Sequence, residues 1–286
     1  ELVVIDAPRL PGSGNDPRPL IAAAADPWPG AIDVEAGTDP SRLGRRARIE
    51  TPARIGRLVA PLAPGPVGRW DRAARIELEM SEAALSGRSR LDVLAGSNAL
   101  LVQGEAGWEL LGFVEAELTG PRHYRLRRFL RGLGGSDPAA EAGAPSGAIA
   151  VLVDEALVRG EIGEHEIALP LTWRAGDTGL EWMQVFNNAQ GLPWQPAHLR
   201  VIHDGNDPWL NWMARGPQFP DNWQLPDPRF SGTFEVEWMS ASVPTARETV
   251  TGSAIMLAQG ADGARVRELA DDGRAGPWAS ILSFDR

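Results

Sequence analysis

Arg75-Ile76-Glu77-Leu78-Glu79-Met80 alternates strictly, with Ile76, Leu78 and Met80 on one side and charged side chains on the other. Successive side chains of a strand point to opposite faces, so this period of two marks a half-buried β-strand. Working outward, Trp108–Leu118 alternates over a longer span. Trp108, Leu110, Val114 and Ala116 are expected on one side, with Glu109, Glu115 and Glu117 on the other. Gly96-Ser97-Asn98 and Gly104–Gly107 supply turns between the two runs. Further strands are expected at Ala148–Val153 and Glu166–Trp173. Residues 1–38 are broken by Ala7-Pro8 and Asp26-Pro27-Trp28-Pro29 and read as an extended lead-in continuing from an upstream domain. Helix is not expected there except around Leu20–Ala25. Residues 132–147 lack periodicity and apolar bulk, and read as a long loop or lid.

After Pro193 the pattern changes to short strands separated by Gly, Pro, Asn and Asp turns, as in a β-sandwich. Leu210 and Trp212 share a face, and so do Phe234, Val236 and Trp238. Ala264–Leu269 and Trp278–Phe284 follow as the last two strands. The expected organisation is therefore all-β. Residues 1–38 lead in, 39–192 form one or more β-domains with the loop at 132–147, and 193–286 form the sandwich.

Composition supports this class and removes several chemistries. The 286 residues include 32 Gly and 24 Pro, a turn-rich composition unsuited to a helical bundle. There is no Cys, which excludes disulfides, thiolate nucleophiles and cysteine metal sites. There is no Lys, which excludes a P-loop and a Schiff base. No apolar run reaches the roughly 18 residues that span a bilayer. His123, His165, His198 and His203 show no metal-ligand spacing, Gly-x-Ser-x-Gly is absent, and the carboxylate pairs read as solvated faces. No catalytic residue, cofactor or metal is expected. The chain opens Glu1-Leu2-Val3-Val4-Ile5, without Met or a signal-peptide pattern, and reads as a piece of a longer polypeptide.

Two features point to surfaces. Net charge is −10, and residues 161–286 hold 17 acidic side chains against 9 arginines. Residues 41–75 instead hold 9 arginines against Glu50 and Asp71, and Pro121–Gly132 hold 5 arginines and no acid. On an acidic chain these segments read as faces for acidic neighbours or another subunit rather than for nucleic acid, with Arg45, Arg46, Arg125 and Arg128 as interface candidates. Tryptophan is the second oddity: 11 Trp against 1 Tyr, seven of them after residue 180. Alternation buries Trp212 and Trp238. Trp209 with Asp207, and Trp223 with Asn222, lie beside polar turns and are candidates for a subunit interface or a glycan surface.

Three stretches together resemble a family. Gly68-Arg69-Trp70-Asp71, the strand Arg75–Met80 and Leu94-Ala95-Gly96-Ser97-Asn98 form the first. Gly107-Trp108-Glu109-Leu110-Leu111-Gly112-Phe113, leading to Tyr124-Arg125-Leu126-Arg127-Arg128-Phe129-Leu130-Arg131-Gly132, forms the second. The third is Leu169-Pro170-Leu171-Thr172-Trp173 with Pro196-Ala197-His198-Leu199-Arg200. In order and spacing they resemble the C-terminal part of tail hub or tail tip proteins of long-tailed phages and gene transfer agents. Phe129 stands for the first Leu of the family's "LLRG" ending, and Gly135-Ser136 for its Gly-Thr.

The resemblance implies a virion protein at the distal tail end, a homotrimer among other tail and baseplate proteins, made in the bacterial cytoplasm and released with the particle. Its implied work is to close the tail end and take part in host attachment or DNA delivery. The glycoside hydrolase-like barrel found upstream in the gene transfer agent version is not in this sequence, so no hydrolase activity carries over. The last domain separately resembles a fibronectin type III module, through Leu210-Asn211-Trp212, Phe234–Trp238, Arg265-Val266-Arg267 and Gly276-Pro277-Trp278. Ala264 stands where a tyrosine is usual. A glycan-binding module that recognises a host surface polysaccharide or receptor is the alternative function.

Overall fold

The computed structural model describes residues 1–13, 16–81, 85–176, 181–216 and 232–284. The chain divides into two compact units, Glu1–Gly191 and Leu192–Arg286. Both are built from β-strands. Among the described residues, no helix is long and apolar enough to cross a membrane.

The first unit begins with β1 (Leu2–Ile5), β2 (Leu20–Ala23), β3 (Ile32–Gly37), β4 (Gly44–Ile49), β5 (Ile55–Leu58) and β6 (Trp70–Met80). It continues with β7 (Ala99–Gly104), β8 (Gly107–Gly120), β9 (His123–Leu133), β10 (Ile149–Leu152), β11 (Val158–Arg159), β12 (Pro170–Ala175) and β13 (Glu181–Val185). A barrel closes in the order β10-β5-β6-β9-β8-β7. Ile76, Leu78 and Met80 point into it, as their alternation requires, beside Leu100, Leu111, Phe113, Leu126 and Phe129. These side chains fill the interior as a packed core.

Two further layers stack on the barrel. Val3, Ile5, Leu20 and Ala22 pack onto its outer side against Leu101, Leu110 and Val151. The other face of the same β1-β2-β11 sheet, through Val4, Ile21 and Ala23, packs on Val34, Ile49, Leu171 and Trp173 of the sheet β13-β12-β3-β4. β1 and β2 thus belong to the middle sheet and β3 to the outer one, so the segment expected as a lead-in contributes strands to the first unit. Leu2–Ile5 and Leu20–Ala23 are continuous apolar runs because both faces of their sheet are covered. Leu20–Ala23 is strand, not helix.

Three other expectations are corrected. Residues 132–147 fold back onto the barrel, with a helical turn α2 (Asp137–Ala142) that buries Ala139 and Ala140. Ser136 holds its start: the Leu110 amide donates to Ser136 Oγ at 2.9 Å, and Ser136 Oγ donates to the Leu133 carbonyl at 2.7 Å. Glu109 is buried rather than facing water, because Trp108–Phe113 is covered on both faces of β8. The strand expected at Glu166–Trp173 begins only at Pro170, after a turn in which Ala168 has φ 64°.

The second unit comprises β14 (Ala197–Asp204), β15 (Asp207–Met213), β16 (Thr233–Ser240), β17 (Val243–Thr251), β18 (Ala254–Met256), β19 (Gly263–Leu269) and β20 (Ala279–Ile281). They form two sheets, β14-β15-β18 and β17-β16-β19-β20. Three strands thus face four in a β-sandwich. Leu210, Trp212, Phe234, Val236, Trp238, Ala264 and Val266 form its core. Trp212 meets Phe234 edge to face at 5.3 Å, while Trp238 meets Phe284 at 6.5 Å and donates to Glu248 Oε1 at 2.6 Å.

Candidate functional site

The first two stretches that carry the family resemblance meet in the barrel of the first unit. Asp71 is the second residue of β6, Glu109 lies on β8 and Arg131 on β9. At Arg131 the pairing of β8 and β9 is irregular, and Gly132 follows with φ 65°. The Arg131 side chain is 0% exposed. Its Nε and Nη2 donate to Glu109, the latter at 2.8 Å to Oε2, and its Nη1 lies 3.6 Å from Asp71 Oδ2. The Ala63 carbonyl accepts from Nη1 at 3.3 Å, and Asp71 Oδ1 accepts from the amides of Ala73 and Ala74 at 3.0 Å each. A Cβ on Gly65 would collide with the guanidinium. An ion cluster buried this completely offers no open surface to a substrate. Its role is to fix β6, β8, β9 and the α2 turn together. The signal in the sequence was an arginine ending an apolar run, but its partners are 22 and 60 residues away.

The interface arginines are occupied by carboxylates of this chain. Arg46 pairs with Glu166 through two bonds of 3.0 and 2.6 Å. Burial pushes the Glu166 carboxyl up, but the Gly163 amide and the Arg46 guanidinium outweigh it, and the net shift is downward. Arg125 donates to Glu77 at 2.7 Å and Arg128 pairs with Glu115 at 2.8 Å. Arg45, 66% exposed, lies 3.9 Å from Asp33. Of the two readings, acidic neighbours or another subunit, the structure shows acidic neighbours within this chain, at Asp33, Glu77, Glu115 and Glu166. Sequence spacing hid this because sheet pairing brings the partners together across up to 120 residues.

The two outer faces of the sandwich differ. On β16, Glu235 and Glu237 are surrounded by arginines of the neighbouring strands. Arg247 and Arg265 pair with Glu237, and Arg267 with Glu235 at 2.6 Å. Bonding to Arg247 foremost, against a burial cost, holds the Glu237 carboxyl below the usual range. Arg267 and Arg265 stack over the Trp278 ring at 4.3 and 4.6 Å. That face is closed by its own side chains.

The outer face of β14-β15-β18 is open. Trp209, in the middle strand, is half-buried and stands between Ile202 and Met256, its cross-strand neighbours on either side. Ile202 is 42% and Met256 52% exposed. Asp204 and Asp207 close the two-residue turn Gly205-Asn206 at one end of this row, and Arg200 pairs with Asn211 at the other. The structure thus brings Trp209 and Asp207 onto one face. Ile202 and Met256 complete the row; Met256 was missed because β18 was not expected. Trp223 and Asn222 lie outside the described residues. Also among the described residues, no group of three or more His, Asp or Glu is placed to hold a metal ion.

Residues 53–151 match the family described as Rcc01698-like, C-terminal, a family associated with gene transfer agents. The matched segment covers β5 to β10, the barrel with its Asp71–Arg131–Glu109 cluster. No curated protein matches the chain. Among solved structures, a chain of a cytokine receptor complex is similar over 74% of this chain and 92% of its own, at 13% identity and a TM-score of 0.22.

Proposed function

We propose that this chain is a structural component of the tail tip or baseplate of a phage-like particle, in a gene transfer agent or a long-tailed phage. In this reading it helps to close the tail end, takes part in host attachment or DNA delivery, and performs no catalysis of its own. One observation supports it above the others: the match to the gene-transfer-agent-associated family falls on the barrel. That barrel is a filled core locked by a buried ion cluster, suited to bearing load and unsuited to conducting DNA through itself. Homotrimers and contacts with other tail proteins belong to the same proposal. Their contact surfaces would lie outside the arginine pairs described above, which are satisfied within the chain.

The test is to purify particles from cells that carry an epitope insertion in this chain and to image them with antibody label. The expected result is co-purification and label confined to the distal tail end. Complete particles that lack the chain would overturn the proposal.

A further inference from the structure

We infer that the outer face of β14-β15-β18, centred on Trp209, is a binding surface for a neutral oligosaccharide. Ile202, Trp209 and Met256 form one apolar row across all three strands. Around it, Arg200, Asp204 and Asp207 are exposed and have no ion-pair or hydrogen-bonding partner for their side chains among the described residues. The other sheet of the same sandwich closes its charges over Trp278, so open polar groups are not a general property of this unit.

Size and charge select the occupant. Three strands about 4.8 Å apart, paired over five residues between β14 and β15 and three between β15 and β18 at about 3.4 Å each, give a face on the order of 200 Å². A stable protein partner needs roughly 800 Å² per side. The face is too small for that and adequate for a short glycan. A single arginine beside two carboxylates disfavours polyanions, which excludes nucleic acid and anionic lipid as good ligands. A pyranose fits both halves of the surface. Its C–H face, weakly positive, stacks on the negative face of the indole. Its hydroxyls donate to Asp204 and Asp207 and accept from Arg200.

The surface is argued from this unit alone and does not depend on the tail proposal, so failure here leaves that proposal standing. The test titrates the full chain with cellohexaose, maltohexaose and chitohexaose up to about 10 mM, in the weak-affinity range expected of one shallow site. The indole N–H resonance of Trp209 is followed, assigned by its loss in Trp209→Leu. Leu keeps apolar packing but removes the flat ring, and unchanged thermal unfolding checks its fold. At least one sugar should shift the resonance. Trp209→Leu should then bind about tenfold or more weakly, whereas Trp209→Tyr should stay within about threefold of the parent. No shift with any of the three sugars, or equal binding by Trp209→Leu, overturns the proposal. Self-association that is abolished by Trp209→Leu in the absence of sugar binding also overturns it, and assigns the face to a second copy.

Discussion

Glu268 lies on the inward face of β19, opposite Phe234, and is 8% exposed, and its Oε2 has no hydrogen-bond partner. Burial pushes its carboxyl up to about 7 from the ordinary 4.5. Between these values the folded chain holds a proton that the unfolded chain releases. Stability therefore falls as pH rises through that window and stays lower above it, by on the order of 3 kcal/mol. Glu268→Gln removes the titration, so the stability difference between parent and variant should grow from pH 5 to about pH 8. Parallel urea-midpoint profiles for the two proteins across that range would refute this. Arg131 is the opposite case, a buried charge whose partners are all present. Removing one member of such a cluster strands the others, at a cost of about 3–5 kcal/mol. Arg131→Met should show that loss in denaturant unfolding, and Gly65→Ala, which pushes a methyl into the guanidinium, should move the midpoint the same way. An unchanged midpoint for both would mean the cluster does not hold the barrel.

At the scale of elements, legibility followed the number of covered faces. β6, β15 and β16 each turn one apolar face to a core and carry charged or polar side chains among those on the other, so their alternation could be read directly, and Trp212 and Trp238 were assigned to the core from it. β1 and β2 have both faces covered, which erases alternation and leaves short apolar runs between prolines. β17 is the converse: an edge strand exposed along nearly its whole length, whose Thr, Arg and Glu carry no apolar signal. Its pairing is dictated by β16, a long-range fact that no local pattern records. The α2 turn escaped because Ala and Gly bury little area and look like loop in isolation. The Trp209 row was half legible for the same reason, since its third member sits on the three-residue strand β18. The same reasoning gives a graded prediction for β15. Trp212 is buried but its indole Nε1 has no partner. Trp212→Ala should cost about 3–5 kcal/mol. Trp212→Phe should cost much less, because the smaller ring also removes an unpaired buried donor. Equal losses for the two variants in thermal unfolding would show that the N–H is satisfied in solution.

For the whole molecule, the core clusters fall on the two sides of the division at residue 191, three in the first unit and one in the second. Each unit therefore holds an apolar core of its own, and the lesions argued above are assigned to different units. Arg131→Met acts in the first, and Trp212→Ala and the Glu268 titration act in the second. Cooperative unfolding follows cores rather than chain length, so calorimetry of the full chain should resolve two transitions. Arg131→Met should lower one of them, and Trp212→Ala should lower the other. Raising the pH from about 5 to about 8 should move the Trp212-sensitive transition further than Glu268→Gln allows it to move. If every variant shifted a single common transition, the units would fold as one body, and the sandwich could not be treated as a separate module.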